Sequence, residues 1–131
     1  MKEEPEWLLE ETVVAIHSLL IAEHGGAEGV RDLDLLRSTL ARPRSLFAYG
    51  EGGPSLFELA ASYAYGLARN HCFVDGNKRI ALAAALTFLE LHGWRLAAPK
   101  QDTFDVMINL ASGRLAEAEL ATWLAARCRQ V

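Results

Sequence analysis

From Ile80 to Leu89 only Thr87 is polar, and neither Gly nor Pro interrupts the run. A stretch this apolar and this long predicts a helix with other helices on every side, at the middle of a bundle. The run is preceded by Asp75-Gly76-Asn77-Lys78-Arg79, the densest polar cluster in the chain. A buried helix that begins in charge has to bring that end to a surface or a cleft. The predicted helix runs from about Asn77 to His92, with Gly93 placed as a C-terminal cap.

Helical spacing recurs through the rest of the chain. Trp7, Leu8, Val13, Val14, Ile16, His17, Leu20 and Ile21 share a period that stops at Gly25-Gly26. Asp32 or Asp34 can cap a short helix through Leu35, Leu36 and Leu40, which Pro43 is expected to end. Residues 45–53 read as an irregular aromatic loop, a candidate flap over a substrate. Ser55-Leu56-Phe57-Glu58 fits a capping box that opens a helix to about Asn70. Asp102 is expected to cap a further helix ending near Gly113, and Leu115, Leu120, Trp123 and Leu124 mark the last. No window alternates cleanly enough for a strand. The expected class is all-α, in a single domain over residues 1–131.

A chain of 131 residues with 51% hydrophobic content can build its core without disulfides or a structural metal. Cys72 and Cys128 show no CxxC spacing and read as reduced thiols. The acidic start, Met1-Lys2-Glu3-Glu4-Pro5, lacks the pattern of a signal peptide, and the apolar run is too short to cross a bilayer. The expectation is a cytoplasmic protein without membrane attachment. A formal net charge of −4 argues against direct nucleic-acid binding.

The polar cluster sits where a helix starts. The first backbone N–H groups of a helix lack partners within it, and the peptide dipoles place partial positive charge there. Gly76 leaves room for an anion, and Asn77, Lys78 and Arg79 add side-chain donors. Cations beside that dipole are unfavourable unless an anion lies between, so a phosphate is the natural occupant. His71 is a candidate general base, and Asp75 a candidate Mg²⁺ ligand. Taken singly, each has a plainer reading: His71 as a helix cap, Asp75 as a turn residue or N-cap, Lys78 and Arg79 as solvated charges. Arg69 and Asn70 are candidates to line the cleft, and Arg31 is within conceivable reach of it. His17 and His24 read as structural, and Trp7 and Trp123 as packing anchors.

The segment His71-Cys72-Phe73-Val74-Asp75-Gly76-Asn77-Lys78-Arg79 resembles the Fic-family loop His-x-Phe-x-Asp/Glu-Gly-Asn-x-x, and more closely its death-on-curing (Doc) variant. Residues 25–32, Leu35-Leu36, Leu40-Ala41-Arg42-Pro43, residues 88–93, Gly113 and Ala121-Thr122-Trp123-Leu124 share the likeness, so it covers most of the chain. The resemblance implies a Fic-type helical bundle and group transfer to a protein hydroxyl. Position by position, it implies His71 as general base, Asp75 as Mg²⁺ ligand, Gly76, Asn77 and Lys78 as the phosphate nest, and Arg79 as the phosphate-contacting arginine. It further implies an ATP-dependent toxin kinase acting on elongation factor Tu or another translation protein, neutralised by a cognate antitoxin docked in a groove.

Fic enzymes that transfer AMP carry a second glycine and, three residues after the first arginine, a second one. Here Lys78 and Leu82 stand at those places, which favours transfer of the γ-phosphate. Nucleotidyl transfer and non-catalytic binding of an anion or partner are the alternative readings. Cys72 and Ile80 also depart from the family's usual residues, and changed packing is the expected result. No Ser/Thr-x-x-x-Glu-Gly/Asn inhibitory motif is present, so restraint is expected from a separate chain.

Overall fold

A computed structural model describes residues 3–131; Met1 and Lys2, where the acidic N-terminal stretch begins, lie outside the described residues. Six helices appear in chain order: α1 (Glu10–His24), α2 (Leu33–Tyr49), α3 (Leu56–Asn70), α4 (Asn77–Leu91), α5 (Lys100–Ala111) and α6 (Glu117–Arg127). Two short strands, β1 (Trp94–Leu96) and β2 (Cys128–Gln130), pair antiparallel with Arg95 opposite Arg129. The mostly helical architecture expected from sequence is present. The strands were not anticipated, because segments of three residues are too short to show an alternation.

Helix α3 starts where the capping box predicts: the Ser55 hydroxyl accepts from Glu58 N–H at 3.1 Å, and the Glu58 carboxylate accepts from Ser55 N–H at 3.1 Å. It packs against α2, α4, α5 and α6 and is the most enclosed helix of the described residues, ahead of α4. Its small residues explain this. Ala60, Ala61, Ala64, Gly66 and Ala68 let neighbouring helices approach, while Leu59, Tyr63 and Leu67 fill the space between them. Helix α4 buries Ile80, Ala81, Ala84, Ala85, Phe88 and Leu89 against α1, α3 and α5. Its other face, with Leu82 and Leu86, is only half-buried, so the expectation of helices on every side of α4 does not hold.

Two sequence expectations fail in α2. The helix does not stop at Pro43 but continues to Tyr49, with Pro43 buried inside it. An interior proline costs about 3 kcal/mol. That cost is offset beyond it, where Leu46 and Phe47 pack on the core and Phe47 meets the Trp7 ring edge-on at 5.7 Å. Residues 45–49 are therefore helix, and no long flap exists; a short turn from Gly50 leads to Ser55. The N-cap of α2 is Asp32, whose carboxylate accepts from Leu35 N–H at 3.0 Å. Helix α5 begins at Lys100, after Pro99, so Asp102 sits in its first turn and makes no cap bond. Trp7 is a packing anchor, stacked on Phe88 at 6.1 Å. Among the described residues no helix is long and apolar enough to cross a membrane.

Candidate functional site

The loop between α3 and α4 is built by alternating exposure. His71 is exposed, Cys72 and Phe73 are buried, Val74 and Asp75 are exposed, and Gly76 at φ 73° starts α4. His71 ends α3 in the left-handed region (φ 51°, ψ 53°) and is the only non-glycine residue with positive φ among those described. That conformation costs an L-residue about 1–2 kcal/mol, so the surroundings must impose it. The imidazole makes no hydrogen bond within the described residues and faces solvent.

Neighbouring segments fix the loop. Arg31 and Asp32 N–H donate to Cys72 O at 2.7 and 3.1 Å, and Val74 N–H donates to Gly29 O at 3.0 Å. Phe73 lies flat against the buried His17 ring, centroids 3.9 Å apart. His17 Nε2 is 2.7 Å from Asp75 O; a carbonyl only accepts, so Nε2 carries the proton. Gly76 is packed tightly here, since a Cβ at this position would lie 3.1 Å from Ile21 Cδ1.

Asp75 presents an exposed carboxylate already gripped by two amides. Oδ1 accepts from Gly76 N–H at 2.8 Å and Oδ2 from Ala27 N–H at 3.2 Å. These bonds, Gly76 first, hold its pKa below the ordinary carboxylate value. Each oxygen keeps a lone pair, so one anchored, ionised carboxylate is available to a hard cation. That fits Mg²⁺, which binds through one or two carboxylates together with waters and substrate phosphates.

At the start of α4, Ile80 N–H is the first to bond back, to Gly76 O. The N–H groups of Asn77, Lys78 and Arg79 have no acceptor within the described residues and form the free positive end of the helix. Lys78 and Arg79 are exposed beside them. Arg79 spends one donor on Gly25 O at 2.9 Å, tying the end of α1 to the loop. Both residues open onto a groove of about 710 Å³ walled by Leu82 and Leu86 of α4 and by Phe104 and Ile108 of α5.

His71, Asp75, Gly76, Lys78 and Arg79 lie along one loop and helix start, but Gly76 does not supply the expected room for an anion: its N–H goes to Asp75 Oδ1, and Ile21 and His17 close the space a Cβ would take. Asn77 is a correction. Its side chain bonds the main chain of Phe73, Oδ1 accepting at 3.1 Å and Nδ2 donating one hydrogen at 3.0 Å, so the amide braces the loop and is not wholly given to an anion as expected; its backbone N–H is free. Arg69 is exposed and lies over the Tyr65 ring, while Asn70 Nδ2 donates to Thr39 Oγ1 at 2.8 Å, which turns Asn70 toward α2. His17 is structural as expected, while His24 lines the groove. The grip of His17 and Ala27 on Asp75 was not foreseen. Their distance in sequence hides it, although the glycine-rich turn before Arg31 was a signal that the backbone approaches something closely. The buried Cys72 thiol, its pKa raised by desolvation, is inert packing rather than a reactive group.

A helical bundle with this loop, running from an αL histidine to a cationic helix start, defines a family as well as a site. A profile of the Fic/DOC family matches residues 7–89, from just before α1 through most of α4. The chain belongs to the Fic/DOC family. It is 44% identical over 93 residues to a protein named Toxin Doc from Mycolicibacterium smegmatis, covering 71% of this chain and 69% of that one. It is 32% identical over 114 residues to Protein kinase doc of Escherichia phage P1, covering 87% of this chain and 89% of that one.

Proposed function

We propose that this protein is the toxin of a toxin–antitoxin pair and transfers the γ-phosphate of ATP to a protein hydroxyl, with elongation factor Tu as the favoured substrate. One observation carries the reading. A solvent-facing imidazole, an anchored carboxylate, three free helix-start amides and two cations lie within residues 71–79, and the two cations, Lys78 and Arg79, line an adjoining groove. The names of the two relatives, a toxin and a protein kinase, support the same assignment.

In this reading the amides of Asn77, Lys78 and Arg79 hold phosphoryl oxygens, and the side chains of Lys78 and Arg79 balance their charge. His71 accepts the proton of the attacking hydroxyl at an imidazole nitrogen. The new O–P bond forms as the bond from the γ-phosphorus to the leaving ADP oxygen breaks. Asp75 would hold Mg²⁺, which when bound neutralises phosphate charge. Lys78 and Leu82 lie one turn apart on the groove wall. One turn past Lys78 that wall carries Leu82 and not a second arginine to seat a distal phosphate pair, which favours γ-phosphate transfer over AMP transfer. The groove also suits a cognate antitoxin, since Phe104 and Ile108 expose apolar surface along it.

Labelled ATP in a bacterial extract tests the reaction. Label from the γ position, and none from the α position, should enter a protein of elongation-factor size, and His71→Ala should abolish it. Protein label from the α position alone would establish nucleotidyl transfer instead. Cell arrest on expression that His71→Ala leaves unrelieved would replace catalysis by binding.

A further inference from the structure

We propose that Arg31 is a positioning residue that sets the direction of the His71 imidazole, an inference that rests on His71 being the general base. His71 sits in a left-handed geometry that few side chains adopt, at a helix end whose last carbonyls have no partners within the helix. Arg31 supplies them from a segment distant in sequence. Its Nη2 donates to Asn70 O at 3.3 Å, its Nε to His71 O at 2.6 Å, and its own backbone N–H to Cys72 O at 2.7 Å. One residue therefore grips three consecutive carbonyls across the catalytic turn. A guanidinium can do this because its donors form a fixed planar fork; a lysine ammonium offers a point charge.

The phosphate-facing half of the loop is held by other contacts. His17 bonds Asp75 O, Ala27 N–H bonds the Asp75 carboxylate, and Arg79 bonds Gly25 O. Loss of the Arg31 fork should misdirect His71 while leaving the anion site in place. A simple helix cap would change stability without separating the two halves.

Two variants and two readouts test this. Arg31→Ala should lower kcat about 10- to 100-fold with KM for ATP held within about twofold, as expected when a reacting group is misplaced but binding is intact. Arg31→Lys, which keeps the charge at the helix end but loses the fork, should stay near the Arg31→Ala value. Unchanged kcat, a KM that rises in step with the loss of kcat, or full recovery by lysine would overturn the proposal. Independently of turnover, the one-bond Cα–Hα coupling of His71 in labelled protein reports the sign of φ. It should show positive φ in the native chain and a mixture in Arg31→Ala. Retention of pure positive φ in the variant would refute the clamp. Altered φ in an enzyme whose native form transfers no phosphate would instead sink the phosphotransfer reading and leave the clamp standing.

Discussion

Asp75 carries its charge on two backbone amides, and that makes its titration informative. Hydrogen bonds to the ionised form depress the folded-state pKa. The carboxylate's support of the loop is therefore fully present above the ordinary aspartate value of about 3.9 and fades as the pH falls through the lower folded value. A carbon-13 titration should place the Asp75 midpoint below that ordinary value, and a midpoint above it would contradict the two-amide grip. Asn77→Ala should cost about 1–2 kcal/mol of unfolding free energy by stranding both Phe73 backbone groups. A neutral effect in denaturant melts would mean the side chain is not holding the loop. At this scale His71, Asp75, Lys78 and Arg79 were legible because the motif and the helix-start physics are local. The inward turn of the Asn77 amide was not, because a short polar side chain faces a ligand or its own backbone with equal ease. Likewise nothing near Arg31 in sequence says that it reaches residues 70–72.

Helix contacts carry their own tests. Gly66 sits where α3 meets α2, and a Cβ there would come 2.8 Å from Thr39 Cγ2 and 3.3 Å from Arg42 Cδ. Thr39 is buried and stiff at χ1, so Gly66→Ala should destabilise by about 1–3 kcal/mol despite alanine's higher helix propensity. Stabilisation on thermal melting would show that α2 gives way freely. Ser55→Ala should cost about 1 kcal/mol through the lost cap of α3. The capping box and the apolar run made α3 and α4 readable from the chain alone. Helix α2 was misread at Pro43 because a local breaker was weighed without the tertiary contacts of Phe47 that lie beyond it. The paired strands joining residues 94–96 to 128–130 were invisible for a similar reason: their stability comes from each other and not from either segment.

Across the whole molecule, the close packing of α3 explains why the site has its form. With α3 held by α2, α4, α5 and α6, its C-terminus and the start of α4 are brought to the surface together, and the 25–32 segment closes over the connection. The bundle thus converts a run of nine residues into a rigid turn with an exposed imidazole at one end and unpaired amides at the other. The general all-helical plan followed from periodicity; the choice of α3 over α4 as the most enclosed helix depended on small residues, whose meaning appears only once their neighbours are known.

The proposed transfer requires phosphate oxygens to meet the free N–H groups at the start of α4. Titrating nitrogen-15-labelled protein with Mg²⁺-ATP measures that contact directly. The amide resonances of Asn77, Lys78 and Arg79 should move furthest, and Lys78→Ala should weaken the response about tenfold or more. Saturable binding that leaves those three amides unmoved, or no binding at millimolar nucleotide, would contradict it.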